Sequence, residues 1–235
     1  LVYNVKRNVL GLCLGRGGIG QRHGHGLAAA QGNTRAQCNL GWCLEAGIGV
    51  EANPVQAVLL YAQAAAMDFV PAITNLGYCY EYGIGVEADA AKALECFRKG
   101  AESGFPRAQF LLGELYAAGI GAEKDMDEAV KWYQSAAWLG YPAAQTELGR
   151  CLEFGLSGPR NPEQAIKWYR AAAEQGHAGG QCCLGFCYES GIGTEQDWAE
   201  AVHWYREASE QGYSRAQCNL GRCYEYGEGV EKDEE

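Results

Sequence analysis

Apolar and small residues along this chain recur at helical spacing, and the whole pattern returns every 36 residues. The stretch AITNLGYCYEYGIGVEADAAKALECFRKGAESGFPR, Ala72 to Arg107, restarts at Ala108, Ala144, Gly180 and Ala216, and once earlier at Ala36. Each unit's first residue is taken as offset zero. A small residue at zero, Leu at four, Cys or Leu at seven and Leu or Tyr at eight line one face of a helix, helix A. Gly follows the Leu in every unit, as in Leu76-Gly77, Leu112-Gly113 and Leu148-Gly149. Gly inside a helix costs roughly 1 kcal/mol against Ala, so its recurrence predicts that another backbone passes close by. Helix A is expected to stop at Gly47, Gly83, Gly119, Gly155, Gly191 and Gly227, where a left-handed residue suits the C-terminal cap.

A second helix, helix B, follows. Asn53, Asp89, Asp125, Asn161, Asp197 and Asp233 occupy the N-cap position. Gln56, Glu128, Gln164 and Glu200 stand three residues on, which completes a capping-box pattern that Lys92 interrupts. Pro54 and Pro162 fit the first helical position. An Ala at offset 21 and a pair at 24–25, as in Trp132-Tyr133, Trp168-Tyr169 and Trp204-Tyr205, form the expected buried stripe. Gly104, Gly140, Gly176 and Gly212 end helix B.

A 36-residue period of helix pairs predicts stacking, because a single pair cannot bury its own apolar face. LGxxYxxGxGxxxD followed by an AxxWYxxAAxxG-type run resembles the Sel-1-like repeat family, a relative of tetratricopeptide repeats, with the best local match over Leu112–Ala144. The resemblance implies an all-α fold, a right-handed α/α superhelix (solenoid) of antiparallel helix pairs, and a role as adaptor or scaffold. The expected organisation is one solenoid over 1–235. It has a degenerate capping repeat at 1–35, full repeats at 36–71, 72–107, 108–143, 144–179 and 180–215, and a half repeat at 216–235.

The formal charge of −10 argues against nucleic acid and anionic membranes and mildly favours a basic partner. No run is long and apolar enough to span a membrane. There is no initiator Met and no recognisable signal peptide, and neither decides the compartment. An array that stops on an unpaired helix A reads either as a piece of a longer chain or as a surface open to self-association. Eleven cysteines are many, but Cys13, Cys43, Cys79, Cys151, Cys187 and Cys223 share offset seven, which Leu115 fills in the third unit. A site that exchanges Cys with Leu is a buried apolar site. Only Cys96 lies on a helix B, so the helix-to-helix bridges of some cysteine-rich relatives lack their partners. Free thiols and a reducing, cytoplasmic compartment are the expectation.

Little here points to chemistry. Gly15, Gly17 and Gly20 spell G-x-G-x-x-G, but they fall in register with the repeat's own loop, and no second strand follows. His23 and His25, and Cys182, Cys183 and Cys187, lack the additional ligands of a metal site. No catalytic residue, metal or cofactor is assigned. The pattern that core packing does not absorb lies on helix A. Glu45, Glu81, Glu153, Glu189 and Glu225 share offset nine, with Ala117 departing. Trp42, Tyr78 and Phe186 stand at offset six, and Tyr82, Phe154 and Tyr226 at offset ten. By analogy with relatives, helix A lines the concave side, where such carboxylates and rings would hold a basic, extended peptide. The expected function is a non-enzymatic protein-interaction scaffold. The alternatives are a cysteine-rich, β-lactamase-like hydrolase, disfavoured by the missing S-x-x-K, and a structural spacer.

Overall fold

The computed structural model describes residues 29–231. The glycine motif at Gly15–Gly20, Cys13, His23, His25 and the helix-B cap Asp233 lie outside the described residues. Those residues form eleven α-helices and no strand. Helix A of successive repeats is α1 (Thr34–Ala46), α3 (Val70–Tyr82), α5 (Pro106–Ala118), α7 (Pro142–Phe154), α9 (Ala178–Ser190) and α11 (Ser214–Tyr226). Helix B is α2 (Pro54–Ala65), α4 (Ala90–Glu102), α6 (Met126–Trp138), α8 (Pro162–Glu174) and α10 (Trp198–Glu210).

The chain divides into two compact units, one ending at Ser103 and one beginning at Gly104. The first holds α1–α4 and the second α5–α11. Within each unit a helix A packs on its own helix B, and that helix B packs on the next helix A. Both units are therefore all-α solenoid segments of stacked helix pairs.

Helix A begins two residues before the expected start. Its N-cap is an aromatic residue without a capping side chain at Phe69, Phe105, Tyr141 and Tyr213, which carries no cap signal in the sequence. Pro106 and Pro142, read from the sequence as following helix B, are the first residues of helix A, where a missing N–H is harmless. The stops are as expected: Gly47, Gly83, Gly119, Gly155, Gly191 and Gly227 all have φ between 67 and 74°.

Helix B starts after its Asn or Asp, whose side chain accepts from the N–H three residues on, as Asp125 does from Glu128 at 2.9 Å. The other half of the capping box is replaced. The cap residue's own N–H donates to a helix-A carbonyl, Asp125 to Tyr116 and Asn161 to Leu152, at 2.9 and 2.8 Å. The loop closes through backbone, and Glu128 and Glu200 turn to Lys131 and Trp204.

Two kinds of recurring glycine do different work. A Cβ at Gly41, Gly77, Gly113, Gly149 or Gly185 would sit 2.6–2.8 Å from the ring at offset 25: Tyr61, Phe97, Tyr133, Tyr169 or Tyr205. The nearest neighbour there is an aromatic ring of helix B, and at Gly113 and Gly185 the expected backbone is close as well, with the Ala129 and Ala201 carbonyls 3.2 and 3.1 Å from such a Cβ. A backbone does pass close to the loop glycines Gly85, Gly193 and Gly229, where a Cβ would collide with the carbonyls of Pro54, Pro162 and Trp198 in the preceding repeat. The fourth repeat has Ser157 at this position, and its hydroxyl donates to Asp127 at 2.6 Å.

The core of each repeat is the offset-25 ring with the alanine four residues before it, both at most 2% exposed. Trp132, Trp168 and Trp204, expected in the same stripe, are only half-buried. Trp168 instead meets Trp138 edge-on at 5.1 Å.

Candidate functional site

Helix A places offset nine beside the buried ring of helix B, and that decides what the glutamates do. The Tyr169 hydroxyl donates to Glu153 Oε2 at 2.6 Å, and the Tyr205 hydroxyl to Glu189 Oε2 at 2.6 Å. Tyr61 donates to Glu45 at 2.9 Å. Glu153 and Glu189 are buried, at 5% and 9% exposure, and Glu189 also pairs with Arg222. Glu45 and Glu81 are half-buried, and only Glu225 is exposed. The carboxylates offered from sequence to a basic partner are thus engaged inside the repeats at Glu45, Glu153 and Glu189. Where the third repeat has Ala117 at offset nine, Tyr133 donates to Glu114 at offset six instead. Burial raises the tyrosine pKa values, with the adjacent carboxylate adding to the shift, so these phenols stay protonated donors.

The rings of the expected site divide. Trp42, Tyr78 and Phe186 at offset six are half-buried, and Tyr78 packs on Tyr82 at a centroid distance of 4.6 Å. At offset ten, Tyr82, Phe154 and Tyr226 are 58, 55 and 63% exposed. In the second unit a cavity of about 40 Å³ opens between α7, α8, α9 and α11. Phe154, Phe186, Cys183, Arg150 and Arg215 line it, with Glu153 and Tyr169 at its floor. That volume is near the roughly 30 Å³ share of one water and far below the roughly 300 Å³ of a small-molecule pocket. It admits the tip of one side chain.

The Sel1 repeat family model matches residues 34–69, 70–105, 106–141, 142–177, 180–213 and 214–235. The chain belongs to the Sel1 repeat family. No curated protein matches it significantly. Among solved structures it is similar to a Sel1 repeat protein from Oxalobacter formigenes, with 34% identity and a TM-score of 0.79 over 88% of this chain and 82% of that one. It is also similar to c5321, a protective antigen of uropathogenic Escherichia coli with the same repeat fold. That match has 30% identity and a TM-score of 0.61, and covers 89% of this chain and 60% of that one. Immunity protein Pa5087 from Pseudomonas aeruginosa shares the fold at 24% identity, with a TM-score of 0.59 over 86% of this chain and 76% of that one.

A buried glutamine at offset one of these Sel1 repeats escaped the sequence reading. The Gln145 amide reaches the Ala137 carbonyl of the preceding helix B at 3.3 Å, and its oxygen accepts from Gln175 of the following one at 2.8 Å. Gln181 repeats this with Ala173 and Gln211. A Gln in register on an apolar face was the available signal, since a buried amide must find partners.

The remaining candidate chemistry resolves into structure. Cys96, Cys151, Cys182, Cys183, Cys187, Cys218 and Cys223 are free thiols, and burial pushes Cys96, Cys151 and Cys182 up to about 11 and Cys183 to about 12. Such thiols are protonated at neutral pH, the opposite of an activated nucleophile. His177 is the N-cap of α9. Its Nδ1 accepts from the Gly180 N–H at 3.2 Å, with Thr146 Oγ1 2.9 Å away, and burial lowers its pKa. His203 packs on Trp204. Among the described residues no group of three His, Cys, Asp or Glu side chains is placed to hold a metal, and no helix is long and apolar enough to cross a membrane.

Proposed function

We propose that the chain is a non-enzymatic scaffold whose helix-A face holds a segment of a partner protein. Sel1 repeats commonly mediate protein–protein interaction. The observation that carries the reading is the set of rings at offset ten. Each repeat already fills its core with the ring at offset 25, yet Tyr82, Phe154 and Tyr226 remain more than half exposed at one repeat position. Large rings left in water beside half-buried neighbours are the usual anchors of an interface. The hydrolase alternative has little support, because the thiols are held protonated and His177 is engaged as a cap.

A photo-crosslinking amino acid at position 154, compared with one at the exposed helix-B residue Lys167, tests this in cells. A discrete protein adduct from position 154 that is absent from position 167 is expected. Equal adduct patterns from the two positions would contradict the assignment of the face.

A further inference from the structure

The charges that remain accessible in the second unit's cavity are arginines. Glu153 is buried and bonded to Tyr169, and Glu189 is held by Tyr205 and Arg222. Glu147 sits on one guanidinium nitrogen of Arg150, at 3.1 and 3.0 Å from its two oxygens. The Arg150 side chain is 50% exposed and lines the cavity. Arg215 is exposed and makes no ion pair or hydrogen bond among the described residues. Arg150 and Arg215 both line this one cavity, beside Cys183. Phe154 and Phe186 wall the same opening.

We propose that this cavity takes a carboxylate side chain from an acidic segment of the partner, held between Arg150 and Arg215, with Phe154 and Phe186 covering the apolar residue next to it. The inference rests on the scaffold reading above. An arginine fork matches a carboxylate in geometry as well as charge. The cavity has room for one such group. The partner chemistry is therefore the reverse of the basic peptide that the net charge of −10 suggests. Net charge describes the long-range field, whereas the carboxylates nearest this cavity are already occupied within the repeats.

Selection of ten-residue peptides from a random displayed library against the full chain tests the proposal. The best binders are then measured by fluorescence anisotropy on the wild type, on Arg150→Gln/Arg215→Gln and on Phe154→Ala. The expected binders carry Asp or Glu beside an apolar residue and weaken as salt rises. They lose about tenfold or more in affinity with the double arginine variant, as charge-assisted hydrogen bonds of this kind imply. Matching circular dichroism melts of the variants and the wild type show that the loss is not unfolding. Binders that are basic or neutral, weakened by Phe154→Ala but not by the arginine variant, would overturn the acidic-partner proposal and leave the scaffold face standing. No enrichment of any peptide class would overturn both.

Discussion

The Tyr169 hydroxyl on α8 and the Glu153 carboxylate on α7, sixteen residues apart in sequence, meet at 2.6 Å in the interior of the fourth repeat. The bond recurs as Tyr61–Glu45 and Tyr205–Glu189. It fixes the two helices of a repeat against each other while Gly149 makes room for the ring. Each of these glutamates is a neighbour that a buried phenol requires, whereas the rings one residue further on, Tyr82, Phe154 and Tyr226, are exposed.

Tyr169→Phe should therefore destabilise by about 1–3 kcal/mol, because it leaves a buried carboxylate short of a donor. Tyr61→Phe should cost less, since Glu45 is only half-buried. The bond also has a pH signature. Burial holds the folded phenols above the ordinary value of about 10. Above that pH the unfolded chain releases protons that the folded chain keeps, so stability falls as pH rises. Urea midpoints from neutral to alkaline pH should show this decline, and a flatter one in Tyr169→Phe/Tyr205→Phe.

The repeat, its helix pairs and the Asn or Asp caps were legible because their signals are local. Spacing, αL glycines and capping side chains act within a few residues. The destination of Glu153 was not legible, since offsets nine and 25 meet only when helix B folds back on helix A. One clue was present. In the third repeat offset nine becomes Ala117 and offset six gains Glu114, an exchange that keeps one acceptor for Tyr133. The helix-A starts were misplaced by two residues because Phe105 and Tyr141 cap nothing. At Gly113 the Tyr133 ring takes the space beside the expected close backbone, the Ala129 carbonyl, because sequence reveals that space is needed without naming all that fills it.

The two fates of the Leu-Gly glycine can be separated. Gly149→Ala places a Cβ 2.6 Å from the Tyr169 ring and should cost about 1–3 kcal/mol by overpacking. A Cβ at Gly221 meets nothing within 4 Å, so Gly221→Ala should be neutral or stabilise by up to roughly 1 kcal/mol through helix propensity. Thermal melts of the two variants in parallel check the difference in sign.

His177 should give the protein an acid-side dependence. Its neutral Nδ1 accepts the Gly180 N–H, and burial depresses its pKa. Below about 6.5 the unfolded chain takes a proton that the folded chain resists. Its contribution is therefore present above that value and is lost as pH falls through the folded pKa. His177→Asn keeps a capping acceptor without titrating, and its stability between about pH 5 and 7 should vary less than that of the wild type. Identical pH profiles would remove His177 from this role.

The most direct measurement is the equilibrium stability of Glu153→Lys/Glu189→Lys in urea. If these side chains are the interior partners of Tyr169 and Tyr205, two buried cations replace two bonded carboxylates. The variant should then lose about 3 kcal/mol or more, with a clear drop in melting temperature. A variant as stable as the wild type would contradict the account and return these glutamates to the surface as binding groups.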